Sequence, residues 1–130
     1  METKINPRIK GHLKITDEHG HILYDDHNAV VINAENLLRR MTVGQSPIDS
    51  VKAYALGVPL ASTTIVSSSF TSTNAVTMTF QFLAGDFNDT MDKIILGNSV
   101  QGPFSEVTGL SIFKDNNTSL NVAWKLTFNI

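Results

Sequence analysis

The sequence predicts a mainly β protein, an antiparallel β-sandwich with one short α-helix in its N-terminal half. The first observation is an unbroken alternation over residues 120–130, and the second is a similar alternation within residues 70–82. A side-chain period of two places all large apolar groups on one face of a strand. The third observation is that short apolar runs are separated by turn signals. Long strands with one apolar face imply a sheet that covers a core.

Length and composition limit the class of protein. A chain of 130 residues is large enough for one core and too short for two, so we expect a single domain over residues 1–130. A net charge of -2 supplies no basic field to attract nucleic acid or an anionic membrane. Cysteine is absent, which excludes disulfides, thiolate zinc sites and cysteine nucleophiles.

The N-terminus is polar and contains Pro7, so it has no apolar signal-peptide core. No later segment is long and apolar enough to span a membrane. We therefore expect a protein that is made and kept in a cytosol-like compartment or leaves it by a route other than secretion, with residues 1–8 as an N-terminal arm.

The first elements are predicted to be a β-hairpin. Residues 9–15 alternate between apolar and polar side chains, a polar segment over 17–20 follows, and a short strand over 21–24 comes next. Gly20 can adopt a positive φ in the turn.

A helix is predicted over residues 34–43. Asn33 is a good N-cap, Leu37 and Met41 belong to one apolar stripe, and Gly44 is placed to end the helix.

The second half of the chain is predicted to be strands joined by turns and one loop. Residues 58–69 are rich in serine and threonine with little periodicity, which is typical of a surface loop. The predicted strands cover 48–57, 70–82, 93–96, 107–113 and 120–130, with turns at 85–90 and 115–117. The core is predicted from the apolar parity of these elements and of the first hairpin and helix: Leu13, Ile15, Leu37, Met41, Val76, Met78, Phe80, Phe82, Val122, Trp124, Leu126 and Phe128.

Four segments, in this order, resemble a family of small virion proteins of tailed bacteriophages. The opening strand, D-x-x-G-type turn and strand over 11–23, followed by Asn28-Ala29-Val30, is similar to the start of those proteins. The helix at 34–43 follows, and residues 48–57 resemble their "I-x-x-I-x-x-x-A-L-G" strand. The fourth segment is the end of the chain, where residues 91–96 are similar to "I-x-E-I-G-L-F" and residues 120–128 to a closing "L-x-V-x-W-x-L-T-F". Val58-Pro59-Leu60 and Lys93 depart from the family pattern.

The resemblance implies a non-enzymatic structural protein that assembles as an oligomer in or near the tail, collar or fibre attachment region. Its partners would be further copies of itself and other virion proteins, without direct nucleic acid contact or a cofactor, and its location would be the virion. A flat, uncharged, β-favouring row is the interface candidate, since exposed sheet surfaces and edges can be completed by a neighbour. That row is Thr71, Thr73, Thr77, Thr79 and Gln81. An ordinary solvated face is the competing interpretation.

Two alternatives remain open at this point: a carbohydrate-binding β-sandwich module that recognises a host surface glycan, and a capsid decoration protein. In the carbohydrate-binding alternative, the polar loops at 62–69 and 85–90 would hold the ligand. Stacking on sugars needs exposed aromatic rings, and few are available. The candidates are Tyr24, Tyr54, Phe87 and Phe104, with Trp124 placed in the core by its parity.

All four histidines lie near the first hairpin, where they offer weak candidates for a metal site. These candidates are His19, His21, Asp25 and His27. They show no H-x-x-x-H or H-E-x-x-H spacing, so a solvated hairpin tip is the favoured interpretation. Four residues could supply oxygens to calcium, but their spacing misses the EF-hand pattern and favours a plain Asx-type turn: Asp86, Asn88, Asp89 and Asp92. No serine lies in a G-x-S-x-G motif, and the sequence carries no positive sign of an enzyme.

Overall fold

The computed structural model describes residues 9–28, 50–72, 75–98 and 102–128, which form strands and turns. No helix occurs within these ranges, and so none that could cross a membrane. Several predictions fall outside the described part: the arm over residues 1–8, the helix over 34–43 with Leu37 and Met41, Thr73, and the side chains of Thr71 and Phe128.

Eight strands make up the described fold. In chain order they are β1 (Ile9–Asp17), β2 (Ile22–Asn28), β3 (Ser50–Ala55), β4 (Val58–Ser72), β5 (Ala75–Phe82), β6 (Asp89–Asn98), β7 (Gly102–Lys114) and β8 (Leu120–Phe128).

The strands form two antiparallel sheets that share β4, and the arrangement is sandwich-like, as predicted. The hydrogen-bonded order is β2-β1-β8-β5-β4-β3-β6-β7. We call β2, β1, β8, β5 and the second half of β4 sheet 1, and the first half of β4, β3, β6 and β7 sheet 2. The outermost strands also contact each other, through a 2.5 Å hydrogen bond from Asn28 Nδ2 to Ser105 Oγ.

The prediction of a loop over residues 58–69 is wrong, because these residues belong to β4. The first half of β4 pairs with β3 and the second half with β5, and the register shifts between Ile65 and Ser67. A strand that passes from one sheet to the other does not keep one face on the core, so its sequence loses the alternation that identifies a strand. The predicted strand over 70–82 is also wrong, because residues 70–72 end β4 and residues 75–82 form β5, and the two strands pair antiparallel with each other.

The core lies between the two sheets. From sheet 1, the predicted residues whose side chains are described are all buried: Leu13, Ile15, Val76, Met78, Phe80, Phe82, Val122, Trp124 and Leu126. Sheet 2 supplies Val51, Ala53, Ile94 and Leu96, each fully buried. Trp124 is 0 % exposed and lies in register with Leu13 on one side and Met78 on the other. It is therefore a packing residue, not a surface platform.

Four turns lie at one end of the sandwich, because every pairing is antiparallel and the chain reverses direction at each turn. We call this the loop end; it comprises residues 18–21, 56–57, 83–88 and 115–119. Lys114 fastens two of these turns together. Its side chain is 1 % exposed, and Nζ donates to the carbonyls of Phe87 at 3.2 Å and Asp115 at 3.0 Å. The same ammonium lies 5.1 Å from the Phe87 ring centroid.

Candidate interaction face

The outer face of sheet 1 is polar and uncovered by any other described element. The pairing aligns its residues in rows across five strands, since side chains directly opposite each other share a face. One row contains Ser69, Thr77, Lys125, His12 and His27. The next row contains Ser67, Thr79, Ala123, Lys14 and Asp25. The predicted interface residues on β5 therefore lie on one continuous surface with His12 and His27.

The interface candidates with described side chains all lie on this face. Thr77, Thr79 and Gln81 are half-buried, and they alternate with the buried Val76, Met78, Phe80 and Phe82. Thr79 Oγ1 lies 2.5 Å from Ser67 Oγ on the neighbouring strand β4. This hydroxyl pair connects β5 to β4 on the outer side.

A groove of about 340 Å³ lies on the part of the face nearest the loop end, and residues of β1, β8, β5 and β4 line it. Its lining combines hydroxyl, amide and ammonium groups with one exposed apolar side chain, that of Val66. The lining residues are Lys14, Thr16, Val66, Thr79, Phe80, Gln81, Asn121, Val122 and Ala123. The groove can therefore accept both hydrogen-bonding and apolar groups.

The face carries more cations than carboxylates. Three of the six lysines in the described ranges point outward here, namely Lys10, Lys14 and Lys125. His12 and His27 lie beside them, with ring centroids 4.6 Å apart in an edge-to-face arrangement. Asp25 is the one carboxylate that the described residues place on this face, and it pairs with His12. The hydrogen bond from His12 lowers the pKa of Asp25.

The four metal candidates do not converge. Asp25 and His27 lie on the sheet 1 face, whereas His19 and His21 lie at the β1–β2 turn with ring centroids 6.2 Å apart. At that turn, Asp17 Oδ1 accepts the backbone N–H groups of His19 and His21, each at 2.9 Å, and Oδ2 lies 2.9 Å from His21 Nδ1. No group of three or more potential ligands that could hold a metal ion occurs among the described residues.

The carboxylates that were weighed for calcium act as local turn acceptors. Asp86 Oδ2 accepts the N–H of Leu83 at 2.7 Å, and Asp89 Oδ1 accepts that of Thr90 at 2.7 Å. Asp92 Oδ2 instead reaches the hairpin turn between β3 and β4, where it accepts the N–H of Leu56 at 2.8 Å. Asp86 and Asp89 therefore bond to nearby backbone, and Asp92 bonds to a turn that is distant in sequence.

The aromatic rings considered for sugar stacking are packed inside or against the protein. Phe87 is buried and lies edge-to-face with Phe82, with centroids 5.4 Å apart. Tyr24 packs partly against the core, and the half-buried Tyr54 lies under the ammonium of Lys93 at 4.6 Å. The side chain of Phe104 lies outside the described part. The expectation that Phe87 is available for stacking is therefore wrong.

Sequence reasoning missed Lys10, Lys14 and Lys125 as members of the face. Their outward parity on β1 and β8 was readable, but the placement of β8 between β1 and β5 was not. That placement brings the lysines next to the threonine row.

No family model, curated protein or solved structure matches this chain.

Proposed function

We propose that this chain is a non-enzymatic structural protein of a tailed-bacteriophage virion, and that it assembles as an oligomer through the outer face of sheet 1. In this proposal it works in or near the tail, collar or fibre attachment region, where its neighbours are copies of itself and other virion proteins. The order of its segments supports the class, because strand, turn, strand, the predicted helix and a tryptophan-containing last strand follow one another as in that family.

The observation that carries the choice of surface is the continuity of the face. Five strands present hydroxyl, amide and basic groups in aligned rows around a groove of about 340 Å³. Thr77 and Thr79 lie in these rows on β5 and are uncharged and half-buried, so a partner can cover them at small desolvation cost. A wide face that combines hydrogen-bonding groups with an apolar side chain fits a protein contact.

The test is a pair of lysines at the centre of the face. Thr77→Lys/Thr79→Lys adds two long charged side chains there and keeps the inward parity of Val76 and Met78. We expect the variant to retain its circular dichroism spectrum and to lose assembly by light scattering. The matched control is Ser62→Lys/Thr108→Lys, at exposed positions on the outer face of sheet 2. Unaltered assembly of the Thr77/Thr79 variant would place the contact elsewhere.

A carbohydrate-binding module is the second candidate, and the amide and hydroxyl groups of the groove favour it. The packing of Phe87, Tyr24 and Tyr54 counts against it, since none is an open stacking platform. A glycan array separates the two candidates. The structural proposal expects no glycan to bind, and it expects the genes beside this one to encode portal or tail proteins.

A further inference from the structure

The loop end of the molecule differs from the rest of its surface in apolar exposure. Seven large apolar side chains are exposed in the described part, and six of them lie in the turns of the loop end or within two residues of them. These six are Ile22, Leu23, Leu56, Val58, Leu83 and Phe113, with exposures from 41 % to 92 %. Concentrated apolar exposure of this kind is typical of an interaction surface.

Leu56 has the most exposed side chain of these six residues. Its side chain is 92 % exposed and its φ is 51°, in the left-handed region that disfavours a leucine. Gly57 beside it has a φ of 79°, so the two-residue turn needs positive φ at both positions. Neither burial nor backbone preference accounts for a leucine here. Its side chain projects from the turn as an unpaired apolar group.

The loop end is also acidic, whereas the sheet 1 face is basic. Of the nine carboxylates in the described ranges, three lie in the turns of the loop end and two directly beside them, and a sixth, that of Asp92 on β6, accepts the N–H of Leu56; the first five are Glu18, Asp86, Asp115, Asp17 and Asp89. The sheet 1 face carries Lys10, Lys14 and Lys125 with one carboxylate, Asp25. Its groove contains the seventh exposed apolar residue, Val66. The two surfaces are thus complementary in charge, and each offers apolar side chains.

We infer that the occupant of the sheet 1 face is the loop end of a second copy of this chain. The contact rests on the proposed function and specifies its partner. It is head-to-tail: the apolar turn around Leu56 enters the groove beside Val66, and loop-end carboxylates lie against Lys14 and Lys125. Each copy contributes its loop end to one neighbour and its sheet 1 face to another. Repetition of such a contact produces a closed ring if the rotation between neighbouring copies returns to the first copy, and a filament if it does not.

Two variants test the two sides separately. The face variant, Lys14→Gln/Lys125→Gln, removes two cations. The loop variant, Leu56→Asn/Glu18→Gln, removes the apolar tip and one exposed carboxylate.

Asparagine tolerates the left-handed backbone better than leucine, so we expect the loop variant to melt no lower than wild type. We also expect its self-affinity to fall by about tenfold or more, as for loss of a leucine buried at a contact.

Mixing the variants gives the decisive result. Each retains one intact surface, so an equimolar mixture should form a 1:1 heterodimer by light scattering, while each variant alone stays monomeric at the same concentration. Lys52→Gln, at an exposed position on the outer face of sheet 2, is the control for charge removal and should assemble like wild type.

The other outcomes are separable. Wild-type assembly that survives the loop variant overturns the loop end as occupant and leaves the sheet 1 face in place. Loss of assembly in both variants without complementation indicates a symmetric contact between copies and also overturns the inference. A wild-type chain that stays monomeric at every concentration defeats the proposed self-assembly itself.

Discussion

Strands β8 and β4 are opposite cases within one fold. β8 lies in the middle of sheet 1 between β1 and β5, with its apolar parity buried from Leu120 to Leu126. β4 is the longest strand, yet it pairs with β3 over one half and with β5 over the other. Alternation marks a strand only where a single face stays on the core for the whole length. A strand shared by two sheets therefore looks like a loop in the sequence.

The largest loss of stability is expected from a substitution in β8. Trp124→Ala should destabilise the fold by about 3–5 kcal/mol, because it removes a fully buried ring and leaves a cavity among neighbours such as Leu13 and Met78. The matched substitution in β4 is Ser68→Ala, at an exposed position, which should change stability by less than about 0.5 kcal/mol. Urea denaturation measures both. Equal losses in the free energy of unfolding would contradict the stated difference between the two strands.

The same contrast between β8 and β4 explains which strands could be predicted from the sequence. The strands whose one face stays on the core, β1, β5 and β8, could be predicted with their buried residues, since each shows a period of two. β4 could not, because serine and threonine make up 8 of its 15 residues and because it pairs with a different sheet in each half. The threonines of β5 could be assigned to one face from parity. Their neighbours on that face could not, since strand order is decided by long-range pairing that no local pattern encodes.

A smaller loss of stability is expected from substitutions at the pairing between β4 and β5, where β4 belongs to sheet 1. Ser67 and Thr79 lie one on each side of the β4–β5 pairing, with their hydroxyl oxygens 2.5 Å apart. Ser67→Ala removes this hydrogen bond and should cost about 0.5–1.5 kcal/mol, toward the low end because the site is exposed. Thr79→Val removes the partner's hydroxyl with little change in shape. Because the two hydroxyl groups share one bond, the double variant should lose less stability than the sum of the two single losses, and additive losses would show that the bond contributes nothing.

The smallest expected effect concerns the turns that lead into the two strands. In the turn before β4, Leu56 adopts the left-handed backbone conformation. A leucine in the sequence does not predict that conformation. The turn before β8 depends on Asp115, whose Oδ1 accepts from Asn117 N at 2.8 Å and from Thr118 Oγ1 at 3.0 Å. Asparagine and aspartate in such a segment are ordinary turn signals. The start of β8 was therefore readable and that of β4 was not.

Those hydrogen bonds, the backbone one from Asn117 first, lower the pKa of Asp115 below its ordinary value of 3.8. A carboxyl whose pKa is lower in the folded chain than in the unfolded chain stabilises the fold above the unfolded value. That contribution disappears as the pH falls through the lower folded value. We therefore expect Asp115→Asn to lower the melting temperature slightly at pH 7 and to reduce the fall in stability below about pH 4. Melting curves of both proteins between pH 7 and pH 2 measure the difference. Parallel curves over that range would show that the carboxylate contributes nothing to the turn that starts β8.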